Sequence, residues 1–141
     1  MSNTLIISTN KKMQTDVIYS FRAEEFDEKV FIRELKNSEI IKKLNDYPAL
    51  QYQYELICYP LEYQKTNDTL PIEIKKIYDK ISLWLVDVIN ELKKGGNEIK
   101  IIYLNYGNDL LEKRIIEKKI NAKRLLSTSF VLELYTVYNI D

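Results

Sequence analysis

The side chains that most often carry out catalysis are scarce in this chain. Its 141 residues include no histidine, which excludes Ser-His-Asp triads, Cys-His dyads and histidine-based zinc or iron sites. The single cysteine, Cys58, falls on the predicted inward face of an apolar strand, where a thiol acts as a small hydrophobic group. The three glycines, two of them at a predicted helix end, are too few for a phosphate-binding loop. We therefore predict no catalytic residue, no metal ligand and no cofactor.

One pair of charged residues has a spacing that could support metal-dependent chemistry. In a strand, residues two apart share a face, so Glu98 and Lys100 would place a carboxylate beside an ammonium group. Restriction-type nucleases carry such a pair, with an upstream acid that completes a magnesium site. The upstream acids here, Asp79 and Asp87, fall on a predicted helix, where that family has a strand. A match of three residues is weak evidence, so surface charge is the favoured explanation and a nuclease-like enzyme is the alternative.

A cluster of basic residues between positions 113 and 124 could meet a phosphate backbone. Its members are Lys113, Arg114, Lys118, Lys119, Lys123 and Arg124. Glu112 and Glu117 accompany them, and no aromatic side chain lies in the segment to stack on a base. The formal net charge of the chain is zero, whereas nucleic-acid-binding domains usually carry a basic surplus. We interpret the cluster as solvated surface and predict no direct contact with nucleic acid.

The positive signs of function concern a binding surface rather than a reaction. Eleven tyrosines are many for this length, and five of them fall between positions 47 and 63. Tyrosine is enriched at protein interfaces, and the surrounding residues 46–91 have more acidic than basic groups. Tyr52 and Tyr54 fit the core, whereas the later tyrosines point to the polar side of the strand or to a loop. We predict that a protein partner is bound by Glu55, Tyr59, Glu62, Tyr63 and Asp68.

A second candidate contact lies on the long helix predicted for residues 70–94. On a helical wheel, Leu83 and Val86 fall opposite the apolar stripe, among polar residues such as Asn90. Two apolar residues three apart on a polar face can pair with each other. Either a second layer of the protein covers them, or they belong to a homodimer or partner contact, and the sequence leaves both alternatives open.

The elements that must position these residues follow from hydrophobic periodicity. Thr4–Ser8 and Asp16–Phe21 are rich in β-forming residues and could pair as an N-terminal hairpin. Acidic residues at the start of segment 24–36 indicate the first turn of a helix. A second short helix, Ser38–Asn45, has a capping residue at its start. Clean alternation predicts a strand at Leu50–Tyr59.

The strongest signal is an apolar stripe at helical spacing in Pro71–Lys94, which Gly95 and Gly96 end. The elements predicted after it are a strand, a shorter helix and a last strand, at Glu98–Asn105, Asp109–Lys119 and Phe130–Tyr138. Residues 120–129 could extend either neighbour. Alternation of strand and helix favours parallel pairing in this half. We predict a mixed α/β fold that leans towards α+β: one five-stranded sheet with an N-terminal hairpin, packed by three or four helices around the central helix at 70–94.

Length and composition predict a single globular domain, residues 1–141, that needs neither metal nor disulfide to fold. The N-terminal apolar run is too short for a signal peptide, and no stretch is apolar enough to cross a membrane. A lone cysteine fits a reducing compartment, so we predict a cytoplasmic protein. Lysine strongly outnumbers arginine, which is typical of an AT-rich bacterial or phage genome.

A small cytoplasmic chain without catalytic motifs, with tyrosine and acid on one segment, resembles bacterial immunity proteins of the polymorphic-toxin and contact-dependent growth inhibition type. The resemblance is one of general character over the whole chain, because those families share no motif. It implies an antitoxin that binds a toxin domain, for example a nuclease, and occludes it sterically and electrostatically without chemistry of its own. A phage-type inhibitor or an adaptor protein fits the same features and stays open as an alternative.

Overall fold

The computed structural model describes residues 3–45, 50–59, 71–105, 112–127, 130 and 132–141. Within these ranges the chain forms seven strands and two α-helices, together with a 3-10 helix. The strands are β1 (Asn3–Thr9), β2 (Ile18–Ala23), β3 (Phe26–Glu34), β4 (Tyr52–Tyr59), β5 (Ile99–Asn105), β6 (Ile116–Ile120) and β7 (Thr136–Ile140). The helices are α1 (Ser38–Asn45), α2 (Ile72–Lys94) and the 3-10 helix (Ala122–Leu126). The fold is therefore α+β, built on one mixed sheet.

The strands form a single sheet in the order β2-β3-β4-β1-β5-β7-β6. Every pairing is antiparallel except that of β6 with β7, which is parallel. At the centre of the sheet, Ile7 of β1 lies opposite Tyr54 of β4 and Ile101 of β5. Both faces of β1 are covered, so the consecutive residues Leu5, Ile6 and Ile7 are all buried. A strand that is buried on both faces has a continuous apolar run instead of an alternating pattern.

The two faces of the sheet carry separate hydrophobic clusters. One face, here called the α2 face, packs against α2 with side chains that include Ile7, Ile32, Leu56, Ile101 and Tyr138. On the opposite face, here called the α1 face, the two buried isoleucine and leucine side chains of α1 meet residues of β1, β5 and β7: Ile6, Ile102, Leu104 and Val137. Residues that alternate along a central strand therefore enter different clusters.

The helix α2 confirms the central helix predicted at 70–94. Its buried apolar residues recur at helical spacing: Ile77, Ile81, Leu85, Ile89 and Leu92. The helix ends at two glycines, of which Gly96 takes a positive φ of 77° and donates its N–H to the carbonyl of Lys93. Trp84 lies over the edge of the sheet, with its ring centroid 4.9 Å from that of Tyr19 and 6.0 Å from that of Phe21. This aromatic contact ties α2 to β2.

The predicted five-stranded sheet with three or four helices is wrong, because the described residues form seven strands and two α-helices. Residues 24–36, predicted as a helix, contain β3 instead, which pairs with β2 as a hairpin. Glu24 and Glu25 form the turn of this hairpin rather than the first turn of a helix. The buried residues Val30 and Ile32 are two positions apart, and burial with a period of two is typical of a strand and not of a helix.

The predicted N-terminal hairpin is also wrong, because β1 pairs with β4 and β5 and not with β2. Of the described strands in the back half, only β6 and β7 pair in parallel, whereas β5 is antiparallel to both of its neighbours, so the predicted parallel pairing holds for one pair of this half. The described part of the predicted helix Asp109–Lys119 contains β6, and the last strand begins at Thr136 rather than at Phe130. Residues 122–126, left open by the sequence, form the 3-10 helix.

Three further predicted elements are confirmed with small shifts of their ends. The strands predicted at Leu50–Tyr59 and Glu98–Asn105 are β4 and β5, and the short helix after residue 37 is α1. The cap of α1 is Asn37 instead of Ser38, because the Asn37 Oδ1 accepts the backbone N–H groups of Glu39 and Ile40, each at 3.1 Å.

The hairpin turn between β2 and β3 leads to a stability prediction. Glu24 has a positive φ of 53°, a conformation that costs a residue with a Cβ about 1–2 kcal/mol. Glycine carries no such cost but loses more chain entropy, so Glu24→Gly should raise the free energy of unfolding by about 0.5–1 kcal/mol. Urea denaturation measures the change. Glu25→Gly is the matched control and should lower stability, because Glu25 is not in the positive-φ region; an equal gain in both variants would contradict the argument.

Candidate functional site

The helix α1 covers only part of its face of the sheet. Its Ile40 and Leu44 pack over β1, β5 and β7, whereas among the described residues no helix packs over the same face of β2, β3 and β4. We call this exposed half of the α1 face the open face. It is made of Ile18, Ser20, Arg22, Asp27, Lys29, Phe31, Arg33, Glu55 and Ile57. A half-covered sheet leaves side chains of three adjacent strands accessible to another molecule.

An apolar row runs across the middle of the open face. The strand register places Ile18 opposite Phe31 and Phe31 opposite Ile57, so the three side chains cross the strands as direct neighbours. Ile18 is 63% exposed, and Phe31 and Ile57 are half-buried. Such a row on neighbouring strands is a contiguous apolar patch, in contrast to the isolated exposed leucine that any protein surface shows.

Charged side chains border the apolar row, and two of the cations are held in ion pairs. The Arg33 Nε lies 2.9 Å from the Glu55 Oε2, and the Arg22 Nε lies 3.7 Å from the Asp27 Oδ1. Lys29 adds a third cation between them along the hairpin. The described part of the open face therefore has three cations and two carboxylates. Glu28 lies on the same strand as Asp27 but on the opposite face of the sheet. Its pKa is raised, first by burial and then by the neighbouring Asp27 carboxylate.

The predicted partner-binding residues lie partly outside the described residues. Glu55 is on β4 and on the open face, but its side chain is only 2% exposed and contacts Arg33. Tyr59 ends β4, where its backbone lies opposite Lys29, and its side chain is not described. Glu62, Tyr63 and Asp68 also fall outside the described ranges. The contact role of these five residues stays a prediction.

The two apolar residues singled out on α2 separate in the structure. Val86 is 4% exposed and belongs to the cluster that contains Ala122 and Leu125, so the 3-10 helix supplies the second layer that could cover it. Leu83 is 53% exposed on the outer side of the helix. One of the two alternatives therefore holds for each residue: Val86 is core, and Leu83 is available for a contact.

The residues considered as a possible magnesium site do not lie together in the structure. Lys100 lies on the α1 face opposite Ser8 and Asn139, whereas α2, which carries Asp79 and Asp87, packs on the other face of the sheet. Glu98 is exposed just before β5, and its N–H donates to the Asn10 Oδ1 at 3.1 Å. In the part of the chain that the structure describes, no three His, Cys, Asp or Glu side chains are close enough to hold a metal ion.

Sequence reasoning missed Ile18 and Phe31, two of the three residues of the apolar row. Phe31 lies in segment 24–36, which was predicted as a helix, and Ile18 lies in a strand that was predicted to pair with β1. The signal that could have found them is the alternation of residues 26–34, whose even positions enter the α2 face and whose odd positions enter the open face. That alternation predicts a two-sided strand instead of a helix.

The comparisons with known proteins leave the site to be judged on its geometry. No protein-family model, no curated protein and no solved structure matches the chain. Among the helices described, none is long and apolar enough to cross a membrane. The open face is an exposed part of the sheet with a contiguous apolar row, and we take it as the candidate binding site.

The Arg33–Glu55 pair gives a prediction about stability. Arg33→Met should lower the free energy of unfolding by about 1–2 kcal/mol, because a buried carboxylate loses a guanidinium that is itself half-exposed and screened. Adding Glu55→Leu should recover most of that loss, since an apolar pair then replaces the two ions. Urea denaturation of the single and double variants measures both steps. A double variant less stable than Arg33→Met would show that the ion pair is not the source of the effect.

The different burial of Leu83 and Val86 gives a second stability prediction. Val86→Ala should cost about 2 kcal/mol through the cavity it leaves in the core, whereas Leu83→Ala should stay within about 0.5 kcal/mol of the wild type. Thermal unfolding followed by circular dichroism compares the two variants directly. Equal losses in both variants would refute the assignment of Val86 alone to the core.

Proposed function

We propose that this chain is a non-enzymatic protein-binding protein of the immunity type, which acts in the cytoplasm by binding a toxin domain and occluding it. The observation that supports binding is the apolar row Ile18, Phe31 and Ile57, which lies uncovered by any described helix on adjacent strands. Burying such a row against a partner releases water from apolar surface, and this is the main source of affinity in protein association. A reaction would need convergent catalytic groups; a binder needs only this surface.

The charges around the row indicate the chemistry of the partner. Arg22, Lys29 and Arg33 outnumber the carboxylates on the described part of the open face, and both carboxylates are within reach of an arginine. Arginine is enriched at interface hot spots because its planar guanidinium can bind a carboxylate with two hydrogen bonds. The partner that fits this face therefore presents apolar side chains with acidic groups around them.

This chemistry differs from the partner suggested by the acidic surplus of residues 46–91. An acidic surplus suits a basic partner such as a nuclease active site, but the Glu55 carboxylate contacts Arg33 and is buried. A buried and compensated carboxylate adds little attraction for an outside cation. Under this proposal, occlusion is achieved mainly by shape and apolar contact at the open face, and the electrostatic contribution comes from the one positive charge by which its three cations exceed its two carboxylates.

A growth assay tests the proposal in the setting that an immunity protein requires. The genes next to this one are searched for a large secreted protein, and the C-terminal domain of any such protein is expressed with and without the chain. We expect the domain alone to stop growth, and co-expression to restore growth and to yield a complex that co-purifies. Absence of an inhibitory neighbouring domain, or inhibition that the chain does not relieve, would reject the immunity function.

A pair of matched variants tests the surface. Ile18→Glu places a charge in the apolar row at an exposed position, so it should weaken the complex at least about tenfold while leaving the fold intact. Leu83→Glu makes the same change at the exposed position on α2 and should leave the affinity unchanged. Calorimetry measures the affinities, and circular dichroism checks the fold. If only Leu83→Glu loses binding, the partner contact lies on α2 rather than on the open face, or α2 forms a homodimer interface that binding requires.

A further inference from the structure

The two edge strands of the sheet differ in how they are protected. At the β2 edge, Lys80 of α2 reaches over and donates from its Nζ to the carbonyl oxygen of Arg22 at 2.6 Å. A lysine placed in this way occupies a backbone group that an incoming strand would need. At the opposite edge, β6 pairs only with β7 and ends the sheet formed by the described residues. The β6 edge is therefore the one at which pairing can continue.

The hydrogen bonds of β6 show which of its backbone groups point outward. The N–H of Ile116 donates to the carbonyl of Tyr135, and the carbonyl of Ile120 accepts from the N–H of Asp141, each at 2.9 Å. In a parallel pair, alternate residues direct both groups to the same neighbour, so Ile116, Lys118 and Ile120 face β7. Glu117 and Lys119 consequently direct their N–H and C=O groups to the open edge, and both residues are exposed.

The side chains along this edge are mainly basic. Exposed cations lie on both sides of β6 and within it: Lys113, Arg114, Lys118, Lys119, Lys123 and Arg124. The acidic groups of the same stretch are Glu112 and Glu117. The local charge therefore repels a basic strand and attracts an acidic one, and its range is set by salt screening.

A cleft of about 730 Å³ lies beside β6 on the α2 face. Its floor is Tyr138, and the Phe130 ring stands edge-on to it with centroids 5.7 Å apart. The Arg124 guanidinium lies 5.7 Å above the Phe130 ring, and the Lys118 Nζ donates to the Glu133 Oε1 at 2.7 Å. That hydrogen bond raises the pKa of Lys118, so Lys118 remains a cation at neutral pH. The cleft thus has an aromatic floor, three cations and two carboxylates in its lining, namely Lys118, Lys119 and Arg124 with Glu133 and Asp141, so its side chains leave a positive surplus of one charge.

We propose that the β6 edge binds an extended acidic segment of a partner protein, which pairs with the outward backbone groups of Glu117 and Lys119 as an additional strand. Main-chain hydrogen bonds supply affinity in this mode, and side chains of alternate residues enter the neighbouring cleft. An acidic side chain there meets Lys118 or Arg124. The site is separate from the open face, and the inference does not rest on the proposed immunity function.

Single-stranded nucleic acid is the other polyanion that a basic surface could bind, and the geometry favours it less. Stacking on bases requires aromatic faces that are open to solvent. Tyr138 is only 1% exposed, and the face of Phe130 is occupied by Arg124. Outward pairs of N–H and C=O groups, in contrast, match the backbone of a peptide strand.

Peptide binding to the whole chain tests the inference. The probe is a short peptide in which glutamate alternates with valine, titrated by calorimetry. We expect binding that weakens with salt, and a loss of about threefold to tenfold in Lys119→Pro, which removes one outward N–H without touching the β7 ladder. Lys119→Ala keeps that N–H and should lose less. Hydrogen exchange of the wild type should show new protection at the amides of Glu117 and Lys119, a readout that needs no variant.

Several results would overturn the inference. One is equal affinity for a matched peptide in which lysine replaces glutamate, and another is unchanged amide exchange at Glu117 and Lys119 in the presence of saturating acidic peptide. Tighter binding of oligo-dT than of the acidic peptide would assign the edge to nucleic acid. Ile18→Glu should leave peptide binding unchanged; a loss of binding there would place the peptide on the open face, against the inference, and would separate this test from that of the immunity function.

Discussion

The pairing of β1 with β4 on one side and β5 on the other is the constraint on which the rest of the structure depends. It places the first strand of the chain at the centre of the sheet and aligns Ile7 with Tyr54 and Ile101. The register also sorts consecutive residues of β1 into different clusters, since Leu5 and Ile7 enter the α2 face and Ile6 enters the α1 face. A slip of one residue would exchange these faces and break both clusters at once.

Unequal coverage of the two faces creates the candidate binding surface, which is the open face. α2 is long and packs from β2 across to the 3-10 helix, so its face of the sheet is covered except at the cleft beside β6. α1 is short and meets only the strands on one side of the centre. The sheet is consequently wider than its cover on the α1 face, and the excess width is the open face. Among the described residues, no second layer covers its apolar row on β2, β3 and β4.

The sequence predicts those elements whose signals are local. The stripe of α2, the glycines that end it and the alternation of β4 each depend on residues close in the chain, and all three are observed. The glutamates at 24 and 25 misled because acidic residues suit the first turn of a helix, whereas here they form a hairpin turn in which Glu24 takes a positive φ, and only the pairing of β3 with β2 reveals that turn. Strand partners cannot be read from periodicity, so the central place of β1 was missed. The candidate site depended on those pairings, and this is why Ile18, Phe31 and Ile57 were not grouped.

The central position of β1 has a consequence for how the chain folds during its synthesis. β1 is made first, yet its partners are residues 52–59 and 99–105, so most of the chain must leave the ribosome before β1 can pair on both sides. Until then, the consecutive apolar residues Leu5, Ile6 and Ile7 have no sheet to enter and are a target for aggregation or for a chaperone. The β2–β3 hairpin needs only its own residues and can form earlier. Folding limited by such distant pairings is slow relative to that of helical proteins of the same size.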